Sequence, residues 1–475
     1  MSDRQSYDAI VIGSGPNGLA AAITLQQAGV QVLLLEAKPT IGGGMRTAEL
    51  TLPGFHHDVC SAVHPMGMAS PFLRSLPLHE FGLEYIHPDV LAAHPFDDGT
   101  AAALDASLDG TASTLGEDGA AYKQLFGPLV RNWSKIDSHI LGPILKIPKS
   151  PLALAAFGIK SLQSGKQIAN RFRTREARGL WAGIVAHSMI PLDALTSSAI
   201  GFVLTIAGHC GGWPIPRGGS QSIADAMKAY FRSLGGTIET NREVKRLSDI
   251  PETKAILFDT SPKQLMEICG DRLSSLYRWQ LGHHRYGMGV FKVDWALSEP
   301  VPFRAEAARK AGTVHLGGTF EAIAHGERQV WKGRHPEKPF VLFAQQSIFD
   351  ASRAPAGQHT GWAYCHVPNG STRDMTEAIT DQVERFAPGF RDTVLATHTF
   401  NTAQMEGYNA NYIGGDINGG VVNIAHLFNR PVFRPSPYRT SAKGVYICSA
   451  STPPGGGVHG MCGYYAATQA LKDIF

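Results

Sequence analysis

"YDAIVIGSGPNGLAAAITLQQAGVQVLLLEA", residues 7–37, is the stretch whose reading decides the fold. It reads as strand, tight glycine turn, helix and second strand, with G-x-G-x-x-G at Gly13, Gly15 and Gly18 and an acid, Glu36, closing the second strand. Each glycine has a separate reason: Gly13 makes the turn, Gly15 lets backbone approach a pyrophosphate, and Gly18 lets the helix pack closely on the strand. The helix N-terminus favours phosphate charge. Glu36 is placed to accept hydrogen bonds from ribose hydroxyls, so the stretch predicts a dinucleotide-binding α/β unit.

Around this unit lie 475 residues, enough for two or three domains. With 43% hydrophobic and 17% charged residues the chain reads as globular. A net charge of +3 does not point to nucleic acid, but it is unevenly spread. Residues 131–178 hold ten Lys or Arg against two acids, Asp137 and Glu176. The six cysteines, Cys60, Cys210, Cys269, Cys365, Cys448 and Cys462, form no C-x-x-C and no metal-like pairing. They argue for a reducing compartment and against a metal site or a redox disulfide. A strand starting near Tyr7 leaves no room for a targeting segment, and no run of 18 apolar residues appears. The expected location is cytoplasmic.

Three further segments identify the dinucleotide. "IGGGMRT", residues 41–47, resembles the extended FAD signature of flavoprotein oxidases and desaturases, with Gly42, Gly43 and Arg46 at the matching positions. Arg46 is expected near the pyrophosphate or the flavin. "GGWPIPRGGSQSIADAMKAYFRSLGGTIETNREVKRL", residues 211–247, predicts an amphipathic helix, a stop at Gly235-Gly236, and a strand through Ile238 and Val244. It resembles the phytoene desaturase-like branch of flavoproteins, which includes carotenoid desaturases, carotenoid isomerases and retinol saturases. That resemblance implies that Val244 lies against the adenine. "GVYICSASTPPGGGVHGMCGYYAATQAL", residues 444–471, is similar to the same family's C-terminal flavin motif. There Gly455, Gly456, Val458 and Gly460 would set backbone against the flavin, with a helix from about Gly463 pointing its positive end at the pyrimidine.

The resemblance covers essentially the whole chain and is nearest to the subgroup called pyridine nucleotide-disulfide oxidoreductase domain-containing protein 2. No cysteine pair supports disulfide chemistry. It implies a Rossmann-type, glutathione reductase-like FAD domain of the amine oxidase and phytoene desaturase type, with an interleaved α+β substrate domain. The expected division is 1–80, 205–265 and 435–475 for FAD, and 81–204 and 266–434 for substrate. "YGMGVFKVDWAL" and "HTGWAYCHVP" alternate like strands, while "DMTEAITDQVERFAPGF" reads as helix until Pro388. No second G-x-G-x-x-G sits in a strand–helix setting, so a separate nicotinamide domain is not expected.

The implied chemistry is hydride transfer at flavin N5 that desaturates, saturates or isomerises carbon–carbon bonds of a lipophilic polyene, isoprenoid or fatty acyl substrate. Lys292 faces away from Phe291, Val293, Trp295 and Leu297 on its strand. It reads either as a solvent-facing partner of Asp294 or, by likeness to amine oxidases, as a lysine near N5. His459 lies in the glycine loop and His64 follows the Arg46 segment; both are candidate catalytic groups. His366, Tyr364 and Asp416 are candidate cavity residues, and Trp213 an aromatic wall. The apolar clusters of the basic stretch are broken by Pro143, Pro148 and Pro151 and interleaved with Lys146, Lys149, Lys160 and Lys166. That pattern suits either a surface lying on an anionic bilayer or a packed helix pair with a solvated basic face. Two rival functions stand beside this one. Amine oxidation would call for an aromatic cage, with Tyr464 and Tyr465 in the right region, and an interaction protein would bind FAD for folding alone. Oligomeric state is not legible.

Overall fold

The structure, a computed structural model, describes residues 6–143, 147–423, 426 and 429–475, so Lys146 lies outside the described residues. Two large sheets organise the chain. The first is parallel, in the order Val445–Ile447, Ala255–Phe258, Ala9–Ile12, Val32–Leu35 and Thr237–Glu239. "AIVI", "VLLL" and "AILF" are buried at every position, as parallel strands covered by helices on both faces must be. Helix Pro16–Gln27 starts with proline at its first position, where the missing N–H costs nothing. Against it lies helix Met461–Asp473, at backbone contact: a Cβ on Gly463 would stand 1.8 Å from the Asn17 carbonyl oxygen.

The strand expected to run through Val244 stops at Glu239. Its neighbour ends at Leu35, and Asn241 takes a φ of 55°, which breaks the extended run; Val244 follows in irregular chain. The final helix begins at Met461, two residues before the expected Gly463.

The second sheet has seven strands, in the order Val394–Phe400, Gly289–Leu297, His359–Val367, Val341–Ala344, Ala311–Leu316, Val90–Pro95 and Ala101–Asp105. All its pairs are antiparallel except Ala311–Leu316 with Val90–Pro95. On one face Phe291, Val293, Trp295 and Leu297 pack into a core that includes Phe343 and helix Thr376–Phe386. The opposite face sets Lys292, Tyr364, Leu342 and His315 side by side, because Lys292 pairs with Tyr364, Tyr364 with Leu342, and Leu342 with His315. Far from being solvated, this face turns toward the first sheet, and Lys292 is 1% exposed.

The basic stretch folds into helices, among them Pro151–Ser161, which leaves Leu152 86% and Ile159 68% exposed. Among the described residues no helix is long and apolar enough to cross a membrane.

Candidate functional site

Between the two sheets lies a cavity of about 700 Å3. At its first-sheet end the wall includes Gly13, Gly15, Glu36, Gly43, Arg46, Val244 and Asp259; Gly456 and Val458 line it from the C-terminal loop. At its second-sheet end it includes His64, Met66, His187, Trp213, Thr313, Trp362 and Tyr364.

The phosphate-binding geometry follows from the glycines. Gly13 takes a φ of 95°, and a Cβ on Gly18 would stand 1.9 Å from the Gly13 carbonyl oxygen. Gly43 and Gly15 meet so closely that a Cβ on Gly43 would lie 2.9 Å from the Gly15 Cα. Helix Pro16–Gln27 has no side-chain cap at Gly15, so its positive end is open beside the cavity. The Gly18 N–H donates to Asp259 Oδ2 at 2.8 Å, and the Gly15 N–H also bonds that carboxyl. Glu36 is held rigidly, accepting from Ser14 N at 3.0 Å, Lys38 N at 2.9 Å and Arg46 Nη2 at 3.1 Å. Arg46, expected at the pyrophosphate or the flavin, lines the cavity and orients Glu36, with its guanidinium 5.4 Å from the Tyr408 ring centre.

The C-terminal loop differs from expectation in three residues. Gly455 and Gly460 do not line the cavity: Gly455 turns toward Arg430, and Gly460, with a φ of 68°, packs against Ala20 and Phe72. His459 is fully buried and braces its own loop. Its Nδ1 accepts from Met461 N at 3.0 Å and its Nε2 donates to Gly455 O at 3.1 Å. Burial pushes its pKa down to about 4, and neither ring nitrogen is left for proton transfer.

Lys292 also differs, because it forms an ion pair with Asp294 as one reading held, but inside the protein. The Asp294 carboxylate also lies 3.7 Å from His57 Nδ1 and from His398 Nδ1. Burial lowers the Lys292 pKa against the opposing pull of Asp294. The ammonium sits 5.8 Å from the Trp362 ring, behind the cavity wall.

His64 does reach the wall. Its Nε2 is 2.8 Å from Ser220 Oγ, which donates its own proton to Ser61 O at 2.6 Å. That leaves His64 Nε2 as donor and Nδ1 as a buried acceptor without a partner among the described residues. Burial pushes this pKa down to about 4 as well.

His366 binds Glu327 Oε2 at 2.7 Å away from the wall, and Asp416 accepts from the backbone of Gly287 and Gly420. Tyr464 and Tyr465 pack on Phe72 and Tyr438 instead of facing the cavity. Trp362 and Tyr364 stand edge to face at 5.4 Å on the wall, which Trp213, Tyr408 and Tyr412 also line. Sequence reasoning missed Trp362, His187, Thr313 and Asp259. Trp362 stands two residues before Tyr364 in an alternating strand, which was signal enough; the others carried none.

None of the six cysteines forms a disulfide, and only Cys60 lines the cavity among the described residues. The family model of flavin containing amine oxidoreductases matches residues 17–267, more than half of the chain. The chain belongs to that family. The open helix end, the glycines that leave no room for a Cβ, and the anchored Glu36 fit FAD, which is the cofactor of this family member. Mouse pyridine nucleotide-disulfide oxidoreductase domain-containing protein 2 is 25% identical, over 99% of this chain and 94% of its own. The lycopene-forming phytoene desaturase of Pseudescherichia vulneris is 24% identical over 97% and 98%. Cyclohexylamine oxidase of Brevibacterium oxydans shares the fold at a TM-score of 0.59, with 16% identity over 98% of this chain and 99% of that one. This family member is an FAD-dependent oxidoreductase acting on a small organic substrate.

Proposed function

We propose that the chain transfers hydrogen at a CH–CH bond of an apolar substrate, as a phytoene desaturase-like enzyme. The composition of the second-sheet wall carries this reading: Met66, Met189, Leu204, Trp213, Leu342 and Trp362 surround the space. Among the described residues the carboxylates that line the cavity, Glu36, Glu243, Asp259 and Glu406, belong to the cofactor end, so none of them awaits an ammonium group at the other. In this reading residues 81–204 and 266–434 form the substrate part.

FAD supplies a two-electron carrier when bound. The chain's own contribution is placement: Trp362 and Tyr364 hold the substrate flat, and the apolar wall excludes water. His64, neutral and fixed in one tautomer, offers an acceptor at Nδ1. Lys292, behind Trp362 and Cys60, is held in its buried ion pair with Asp294 beneath the wall. Exposed Leu152 and Ile159, with Lys149 and Lys160 beside them, form the face through which an anionic bilayer delivers substrate.

Amine oxidation is the second reading, favoured by the family model itself. Anaerobic absorbance spectroscopy separates the two. Bleaching of the flavin band by a total lipid extract, with no response to cyclohexylamine, is the expected result. Bleaching by the amine alone replaces this proposal with the second reading.

A further inference from the structure

The second-sheet end of the cavity holds polar groups that neither the cofactor nor the packing uses. His187 caps the C-terminal end of helix Arg175–Ala186, and Thr313 sits on strand Ala311–Leu316; both line the cavity. Thr313 is 1% exposed, and its hydroxyl has no partner among the described residues. A buried hydroxyl left unpaired is costly, so its place on an apolar wall calls for a ligand atom.

His187 is prepared in a different way. Its Nε2 lies 2.9 Å from the Nε2 of His315, which is fully buried on the same strand as Thr313. Helix Arg175–Ala186 presses on that histidine: a Cβ on Gly183 would stand 2.6 Å from the His315 Cβ. One of the two Nε2 atoms donates and the other accepts, so an exchange of tautomers leaves His187 Nδ1 as either acceptor or donor. Burial keeps both rings neutral, His187 being pushed down to about 3 and His315 well below its usual value. Glu327, whose partner His366 shares the face of Tyr364, does not line the cavity and is paired with that histidine.

We propose that Thr313 and His187, the latter backed by His315, anchor a neutral oxygen, hydroxyl or carbonyl, at one end of an otherwise apolar substrate. This rests on the apolar-substrate reading above and deepens it. Among the described residues that line this end, an ammonium finds no carboxylate and a carboxylate finds no cation. A tautomer pair that donates or accepts suits a hydroxyl and a carbonyl equally, so both members of such a redox-related pair fit.

The test is titration of the holoenzyme with benzylacetone, butylbenzene and phenylbutylamine, read by perturbation of the visible flavin spectrum and by melting temperature. The ketone is expected to bind about tenfold more tightly than the hydrocarbon. Thr313→Val and His187→Phe bring the ketone down to the hydrocarbon's affinity and leave butylbenzene unchanged. Thr313→Val is close to isosteric, and Thr313→Ser restores ketone binding, which separates recognition from misfolding. Equal binding of ketone and hydrocarbon by the unaltered protein, or an equal loss of both in Thr313→Val, overturns the anchor and leaves the apolar reading standing. Tightest binding of phenylbutylamine overturns both.

Discussion

Asp259 stands where strand Ala255–Phe258 runs into the phosphate-binding glycines, and its carboxyl is the one acid in direct contact with them. A Cβ on Gly15 would be 2.6 Å from its Oδ2. Burial raises its pKa to about 7; the hydrogen bond from Gly18 opposes that rise and the charge of Glu36 adds to it. The other titratable groups facing it, Cys448 and Cys462, remain thiols because burial pushes them up. With the folded pKa above the unfolded 3.8, the proton is held in the folded state, and its stabilising effect is lost as pH rises from about 4 through about 7. The pyrophosphate of FAD acts in the same direction, since ionised Asp259 repels it. FAD affinity is therefore expected to fall up to about tenfold per pH unit above pH 7, measured as free flavin fluorescence after gel filtration. Asp259→Asn should flatten that slope; an unchanged slope would remove Asp259 from the phosphate cradle. Nothing in "AILFDTSP" announced this residue, because its role depends on a turn more than 240 positions away.

At the scale of elements, the exposed side of Pro151–Ser161 makes a claim of its own. Leu152 and Ile159 face solvent beside lysines, and Ile147 just before the helix is 91% exposed. Sedimentation with phosphatidylglycerol vesicles should carry the protein down, and Leu152→Asp with Ile159→Asp should release it by at least about tenfold. Equal sedimentation with phosphatidylcholine, or no effect of the double variant, would return the helix to an ordinary surface role. The legibility of elements also had a limit. Period-two alternation correctly separated Lys292 from Phe291 and Val293, yet it reports only which face a residue takes. Whether that face meets water depends on what packs over it, and here a second sheet layer does. In the same way, the glycines after Pro454 announced close backbone approach, but φ is positive at Gly455, Gly457 and Gly460 alike, and which of them reaches the cavity was set by the packing of Gly455 toward Arg430 and of Gly460 on Ala20 and Phe72.

For the whole molecule, Asp58 is the joint. Fully buried on the cofactor side, it accepts from Thr47 Oγ1 at 2.7 Å, Ser220 N at 2.8 Å and Arg353 Nη2 at 2.9 Å. Its backbone oxygen takes the Trp362 indole N–H at 2.9 Å. Arg353 and Trp362 belong to the second-sheet side, so one residue ties the two halves around the cavity. Removing one partner of a buried ion pair costs about 3–5 kcal/mol, whereas an apolar pair of similar size is tolerated. Asp58→Leu should lower the melting temperature sharply in calorimetry, and adding Arg353→Met should recover part of the loss. A double variant no better than the single one would show that the pair does not couple the halves.

Helix Met461–Asp473 lies in backbone contact with helix Pro16–Gln27, and Gly456 and Val458 share a cavity with Gly13 and Gly15. A ribosome making this protein therefore produces Gly13 and Gly15 first and the loop that shares their cavity more than 440 residues later. A nascent chain halted before that loop lacks one wall of the cavity, so the site is finished only as synthesis ends.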